Sequence, residues 1–255
     1  MLFRSMARKR RATEAAAPQG LLDSLPLDAG QAADLEGSGL LELALTHRSY
    51  SYEHDGLPHN ERLEFLGDAV LQLAVTEHLY AAHPTLPEGD LARRRAATVS
   101  TRALAVIASR LDLGAYVRLG RGEDLTGGRS KASILADTTE AVIGAVHLAL
   151  GQDVSRRFVL DLLSPLLDSD EFLEAGYDFK SRLQEIAAAE GKDVVYALTE
   201  SGLEHQKTFT ATVTVEGVVT ARGDGASKKD AELAAAQNAV RGVLAERGEP
   251  LIPRG

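Results

Sequence analysis

The run Asn60 to Leu73, NERLEFLGDAVLQL, constrains this chain more than any other stretch. At about 100° of rotation per residue, a helix here brings Glu61, Glu64 and Asp68 within about 60° of one another and gathers Leu63, Leu66, Val70, Leu73 and Ala74 on the far side. Phe65, Ala69 and Leu71 flank the acids, so the helix is apolar almost all round except where its carboxylates stand. Carboxylates crowded among apolar neighbours repel one another and lose solvation, and a bound cation relieves both. For this segment taken alone, a solvated helix face with Arg62 beside it is the competing reading.

A second stretch changes the balance. From Ser133 to Gln152, SILADTTEAVIGAVHLALGQ, the formally charged side chains are Asp137 and Glu140, one helical turn apart in a run of Ile, Val, Leu and Ala. A helix this apolar is expected to be buried, and buried acids need partners. Two such helices can converge on one divalent cation. Hard oxygen ligands suit Mg²⁺ or Mn²⁺, and the chain offers no cysteine to a softer metal. His147 reads as a core or surface histidine rather than a ligand.

With 255 residues and 44% hydrophobic composition there is material for two modest packed domains. The absence of cysteine excludes disulfides, iron–sulfur clusters and thiol catalysis, and fits a reducing cytoplasm. A net charge of −9 argues against bulk attraction to nucleic acid, so any RNA contact must come from local basic patches. Residues 1–20 read as a disordered basic tail carrying Arg4, Arg8, Lys9, Arg10 and Arg11, with an RNA-binding arm or a transit-peptide-like start as alternatives. No uninterrupted apolar run approaches 20 residues, so no membrane span is expected.

Between these landmarks, Leu21 to Leu45 reads as short helices broken at Pro26 and at Gly37 to Gly39. Thr46, His47, Arg48 and Ser49 read as structural hydrogen bonding around the acidic helix. Pro84 to Asp90 forms a turn, with Glu88 placed where a carboxylate complements the next helix's dipole. In the glycine-rich loop Gly120 to Lys131, Arg129 and Lys131 stand near the second acidic helix's N-terminus, where phosphate binding and a flexible connection are the competing readings. Asp153 to Leu167 forms a last amphipathic helix, and Asp168 to Tyr177 reads as an acidic linker.

Beyond the linker the pattern changes to α-β-β-β-α: a helix over Lys180–Glu190, strands over Val194–Thr199, Thr208–Val215 and Val218–Gly225, and an Ala-rich helix over Ser227–Glu246. Phe209, Ala211, Val213 and Val215 alternate inward, and Ser227 is a good N-cap.

The segments NERLEFLGD at Asn60–Asp68, ALTHRSY at Ala44–Tyr50, LPEGDLARRRA at Leu86–Ala96, LGRGE at Leu119–Glu123 and SILADTTEAVIGA at Ser133–Ala145 resemble bacterial ribonuclease III, in that family's order. The resemblance runs from about Leu40 to Leu244. It implies an all-α endonuclease domain over 21–168, a linker over 169–177, a small α+β double-stranded RNA-binding domain over 178–247 and a tail over 248–255. It further implies hydrolysis of phosphodiester bonds in double-stranded RNA with Mg²⁺, for which Mn²⁺ substitutes. By that likeness Glu64, Asp68, Asp137 and Glu140 are the metal ligands, Asp68 and Glu140 lie closest to the chemistry, and Glu61 and Glu88 support them. A homodimer is implied, with Phe65 as a knob into the partner, and so are 5′-phosphate and 3′-hydroxyl ends, short 3′ overhangs and work on ribosomal RNA precursors and structured messages. In the C-terminal module Gln184, Glu185, His205, Ser227, Lys228 and Lys229 match RNA-facing positions. Two features depart from the pattern: the start of the nuclease-like region lacks the family's aromatic-containing turn, and Glu204 adds an acid to the loop that holds His205.

Overall fold

The computed structural model describes residues 14–167, 169, 174, 177–201 and 207–251. They fall into two compact units, divided between Phe172 and Leu173.

The first unit is helical. Its elements are α1 (Gln19–Leu22), α2 (Ala29–Gly37), α3 (Leu40–Ala44), α4 (Arg48–Glu53), α5 (Glu61–Ala82), α6 (Glu88–Thr98), α7 (Thr101–Arg110), α8 (Leu113–Tyr116), α9 (Arg121–Leu125), α10 (Ala132–Leu150) and α11 (Gln152–Leu167). The breaks at Pro26 and at Gly39, which takes φ +72°, fall where the sequence places them. Before residue 21, the Ala16 amide donates to the Ala115 carbonyl and Pro18 is the N-cap of α1. The remainder of the expected basic tail, residues 1–13, lies outside the described residues.

Helix α10 is the centre of this unit and packs on α2, α3, α5, α7 and α11. By length and composition it could cross a membrane, but 61% of its apolar window is buried among the other helices. Its longest contact is with α5, and glycine sets the closeness of that contact. A Cβ on Gly67 would lie 1.8 Å from the Glu140 carbonyl oxygen, and one on Gly144 would lie 2.3 Å from that of Leu63. Only a residue without a side chain permits the two backbones to meet there.

This crossing corrects the face expected for α5. The buried positions are Leu63, Gly67, Leu71, Ala74, Val75 and Leu79. Leu66 and Val70 are half-buried and Leu73 is 51% exposed, so the buried stripe is rotated towards Gly67 and Leu71 and away from Leu66, Val70 and Leu73. Phe65 is 82% exposed, so its ring is not part of this chain's own core.

The glycine-rich segment ahead of α10 is also ordered. It holds α9 and a 3₁₀ turn at Gly128–Ser130, stapled by Arg129 to the stretch that carries α8. The guanidinium of Arg129 donates to Asp124 Oδ1 at 2.7 Å and to the carbonyls of Gly114 and Val117 at 3.0 and 2.9 Å. The segment is thus tied down by hydrogen bonds, and Arg129 serves the fold.

The second unit comprises α12 (Phe179–Ala189), β1 (Val194–Ser201), β2 (Thr208–Val215), β3 (Val219–Gly225) and α13 (Lys228–Arg247). The strands form one antiparallel sheet in the order β1-β2-β3, with Tyr196 opposite Val213 and Val213 opposite Ala221. Alternation turns Ala211, Val213 and Val215 inward onto Leu183, Ile186, Ala235, Ala239 and Val240. Alanines on α13 and glycines on β3 let helix and strand lie close: a Cβ on Gly223 would sit 2.1 Å from the Ala235 nitrogen. The linker expected over 169–177 is described only at Ser169, Glu174 and Tyr177.

Candidate active site

The α5–α10 crossing decides where the acids go. Glu64 lies three residues before Gly67, and Glu140 lies four before Gly144, so the paired glycines draw their carboxylates to one end of the contact. One carboxylate oxygen from each of Glu64, Asp137 and Glu140 lies within 4.8 Å of the others. Three anionic oxygen donors converging from two helices are an arrangement that can hold a hard cation.

Electrostatics show how costly the cluster is without a cation. Burial pushes the Glu140 carboxyl up to about 7, with repulsion from Asp68, Asp137 and Glu64 adding to it. Burial also raises Glu64, helped by Asp137 and Glu61. Asp137 is raised by burial in spite of the favourable fields of His47 and Arg48. Each group is thus held in an environment that penalises its charge until positive charge arrives.

Asp68, one turn beyond Glu64, is exposed and lies outside that triad, although its charge acts on Glu140; Gln72 donates to it at 3.4 Å. Glu61 is part of neither triad nor core, and pairs with Arg48 at 3.3 Å. Glu88 is the exposed first residue of α6, behind an N-cap, Pro87, that makes no side-chain cap bond. The structure therefore assembles three of the four expected ligands, keeps Asp68 and Glu61 near enough for their charges to act on the triad, and does not bring Glu88 into it.

Supporting residues come from the THRS segment. Thr46 pairs with Arg118 in a parallel bridge, and the His47 ring nitrogen accepts from the Ser49 amide as the N-cap of α4. Asn60 is buried, donates to the Ala44 carbonyl, and its amide bonds to the Thr46 carbonyl, which fixes the start of α5. These bonds match the structural part expected of the segment. His47 and Arg48 nevertheless also line a cleft of about 310 Å³ next to the triad, with Glu64, Glu123, Lys131 and Asp137. Burial lowers the pKa of His47. The sequence reading missed this cleft, since its walls come from segments far apart in the chain. His147 is hydrogen-bonded to Ser155 at 3.0 Å, away from the acids, as a structural histidine.

In the second unit, Gln184 and Glu185 are exposed on α12, and Glu185 pairs with Arg182 at 2.9 Å. Lys228 and Lys229 are exposed in the first turn of α13. Ser227 accepts from the Asp230 amide and donates to the Asp230 carboxylate, so its hydroxyl caps the helix. His205 and Glu204 lie outside the described residues.

Two family models match the chain: "Ribonuclease-III-like" over residues 37–166 and "Double-stranded RNA binding motif" over residues 179–243. Ribonuclease 3 of Streptomyces coelicolor is 56% identical over 213 residues, covering 83% of this chain and 77% of that protein. The chain belongs to the ribonuclease III family. Ribonuclease 3 of Leifsonia xyli is 54% identical over 217 residues, covering 85% of this chain and 91% of its own. A crystal structure of the ribonuclease III nuclease domain from Campylobacter jejuni matches 59% of this chain and 96% of its own length, at 38% identity and a TM-score of 0.53. One structure of that domain is described by flexibility in a region involved in its dimer formation. The ribonuclease III family thus accounts for the helical unit that holds the acid triad, and the RNA-binding motif for the α-β-β-β-α unit.

Proposed function

We propose that this chain is a metal-dependent endoribonuclease of double-stranded RNA, acting in the cytoplasm as a homodimer on ribosomal RNA precursors and structured messages. The observation that carries the reading is the convergence of Glu64, Asp137 and Glu140 within 4.8 Å, in a ribonuclease III family member that also has a double-stranded RNA binding motif.

Glu64, Asp137 and Glu140 fit a divalent cation by number, charge and hardness of their donors, and Asp68 is the proposed fourth ligand. When bound, Mg²⁺ or Mn²⁺ supplies an activated water and stabilises charge on the leaving oxygen of a phosphodiester. The residues do the rest. Glu140, with its pKa near 7, holds a proton in the cation-free site and releases it as positive charge enters, so loading is coupled to pH. The α5–α10 crossing fixes the donors, so little reorganisation is needed. Gln184, Glu185, His205, Lys228 and Lys229 are proposed to read the A-form shape of the duplex, the lysines at phosphates and the α12 residues at ribose hydroxyls. Ser227 supports them as the cap that presents those lysines.

Phe65 is the proposed dimer contact. Its ring is 82% exposed, a large apolar side chain in solvent that a second copy would cover.

A labelled hairpin and the corresponding single strand, incubated with Mg²⁺ and with EDTA, test the reading. The hairpin is expected to be cut into 5′-phosphate products with short 3′ overhangs, in Mg²⁺ alone, while the single strand survives. Equal cleavage of both RNAs, or cleavage that persists in EDTA, would contradict it.

A further inference from the structure

A cleft that must admit RNA next to three carboxylates faces a charge problem, since a phosphodiester is an anion. Its walls hold two formally cationic side chains, Lys131 and Arg48. Both are exposed and both are only loosely held. Lys131 lies 3.5 Å from Glu123 with 58% of its side chain accessible, and Arg48 lies 3.3 Å from Glu61 with 72% accessible. Long, solvated ion pairs of this kind exchange partners readily. Arg129, two residues before Lys131, is the opposite case: it is clamped at 2.7 Å to a buried Asp124 and to backbone carbonyls. The same short basic segment therefore holds one arginine fixed in the fold and one lysine free to change partner. Lys131 also makes no side-chain cap bond to α10.

We propose that Lys131 and Arg48 bind RNA backbone phosphates in this cleft, and that Glu123 and Glu61 hold the two cations until a phosphate replaces the carboxylates. The carboxylates act as internal substitutes for substrate: they keep the cleft balanced when empty and compete with RNA for the same cations. This rests on the reading that the substrate is duplex RNA.

The test is hairpin binding by the full chain in Ca²⁺ across a range of salt concentrations, with melting curves alongside. Lys131→Ala is expected to weaken binding about 3- to 10-fold and to lower the log–log salt slope by about one, with Lys131→Arg restoring both. Glu123→Gln should tighten binding severalfold in the wild-type background and do nothing in the Lys131→Ala background. Arg129→Ala should lower the melting temperature and leave the salt slope alone. The proposal is overturned if Lys131→Ala keeps the wild-type slope, or if Glu123→Gln has the same effect in both backgrounds. A wild-type chain that neither binds nor cuts the hairpin would overturn this proposal together with the reading beneath it.

Discussion

Glu140 is the residue on which stability and chemistry pull in opposite directions. Its carboxyl rises from 4.5 to about 7 on folding, because burial and neighbouring acids disfavour its charge. A group whose pKa is raised by folding stabilises the native state fully below the unfolded value, and that contribution is lost as pH rises through the folded value. The cation-free protein should therefore lose stability between about pH 4.5 and pH 7. Glu64 and Asp137 shift in the same direction and deepen the loss. Glu140→Gln is expected to raise the melting temperature in EDTA at pH 7.5 by roughly 2–5 °C, to flatten its dependence on pH, and to remove the stabilisation by Mg²⁺ that is expected of the wild type. Melting curves at pH 5 and pH 7.5, with and without Mg²⁺, read all three effects. A variant melting below the wild type in EDTA at pH 7.5 would show that the carboxylate is not held at a cost.

At the level of elements, the site is a property of how α5 and α10 cross. Gly67→Ala would put a methyl group 1.8 Å from the Glu140 carbonyl oxygen, and nothing flexible stands there to yield. Such overpacking costs about 1–3 kcal/mol, and it should also separate the triad. The expectation is a stability loss by denaturant titration together with a Mg²⁺ affinity reduced at least tenfold; an unchanged Mg²⁺ affinity would show that the crossing does not set the donors. The sequence announced both helices and their acids, because composition alone marks α10 as buried and α5 as acid-bearing. It did not announce the crossing. Five leucines, valines and alanines on one arc suggested a packing face, whereas the closest approach uses Gly67 and Gly144, which carry no hydrophobic signal. Leu73 and Phe65 stay exposed for the same reason: the helix is turned by its glycine, not by its largest apolar residues. The strands and helices of the second unit were legible nearly to the residue, since period-two alternation in β2 and the serine cap of α13 are local signals. The cleft walls were not, because His47, Glu123 and Lys131 meet only after the chain has folded.

For the whole molecule, two surfaces carry the account beyond one folded chain. Phe65→Asp is expected to yield monomers by light scattering with little change in melting temperature, as the ring touches mostly solvent within the chain; a fully dimeric variant would end its proposed role. Lys228→Ala with Lys229→Ala should weaken hairpin binding and reduce its salt slope by about two without affecting Mg²⁺-induced stabilisation, because those lysines stand in the second unit and the acid triad in the first. An unchanged slope would remove those lysines from the RNA contact. The most direct test joins the two activities in one tube: a labelled RNA hairpin, the wild type and Glu140→Ala, with binding measured in Ca²⁺ and cleavage in Mg²⁺. The account predicts that both proteins bind the hairpin comparably and that only the wild type cuts it. Cleavage by Glu140→Ala at the wild-type rate, or binding without cleavage by both proteins in Mg²⁺ and Mn²⁺, would contradict the claim that the acid triad performs the chemistry.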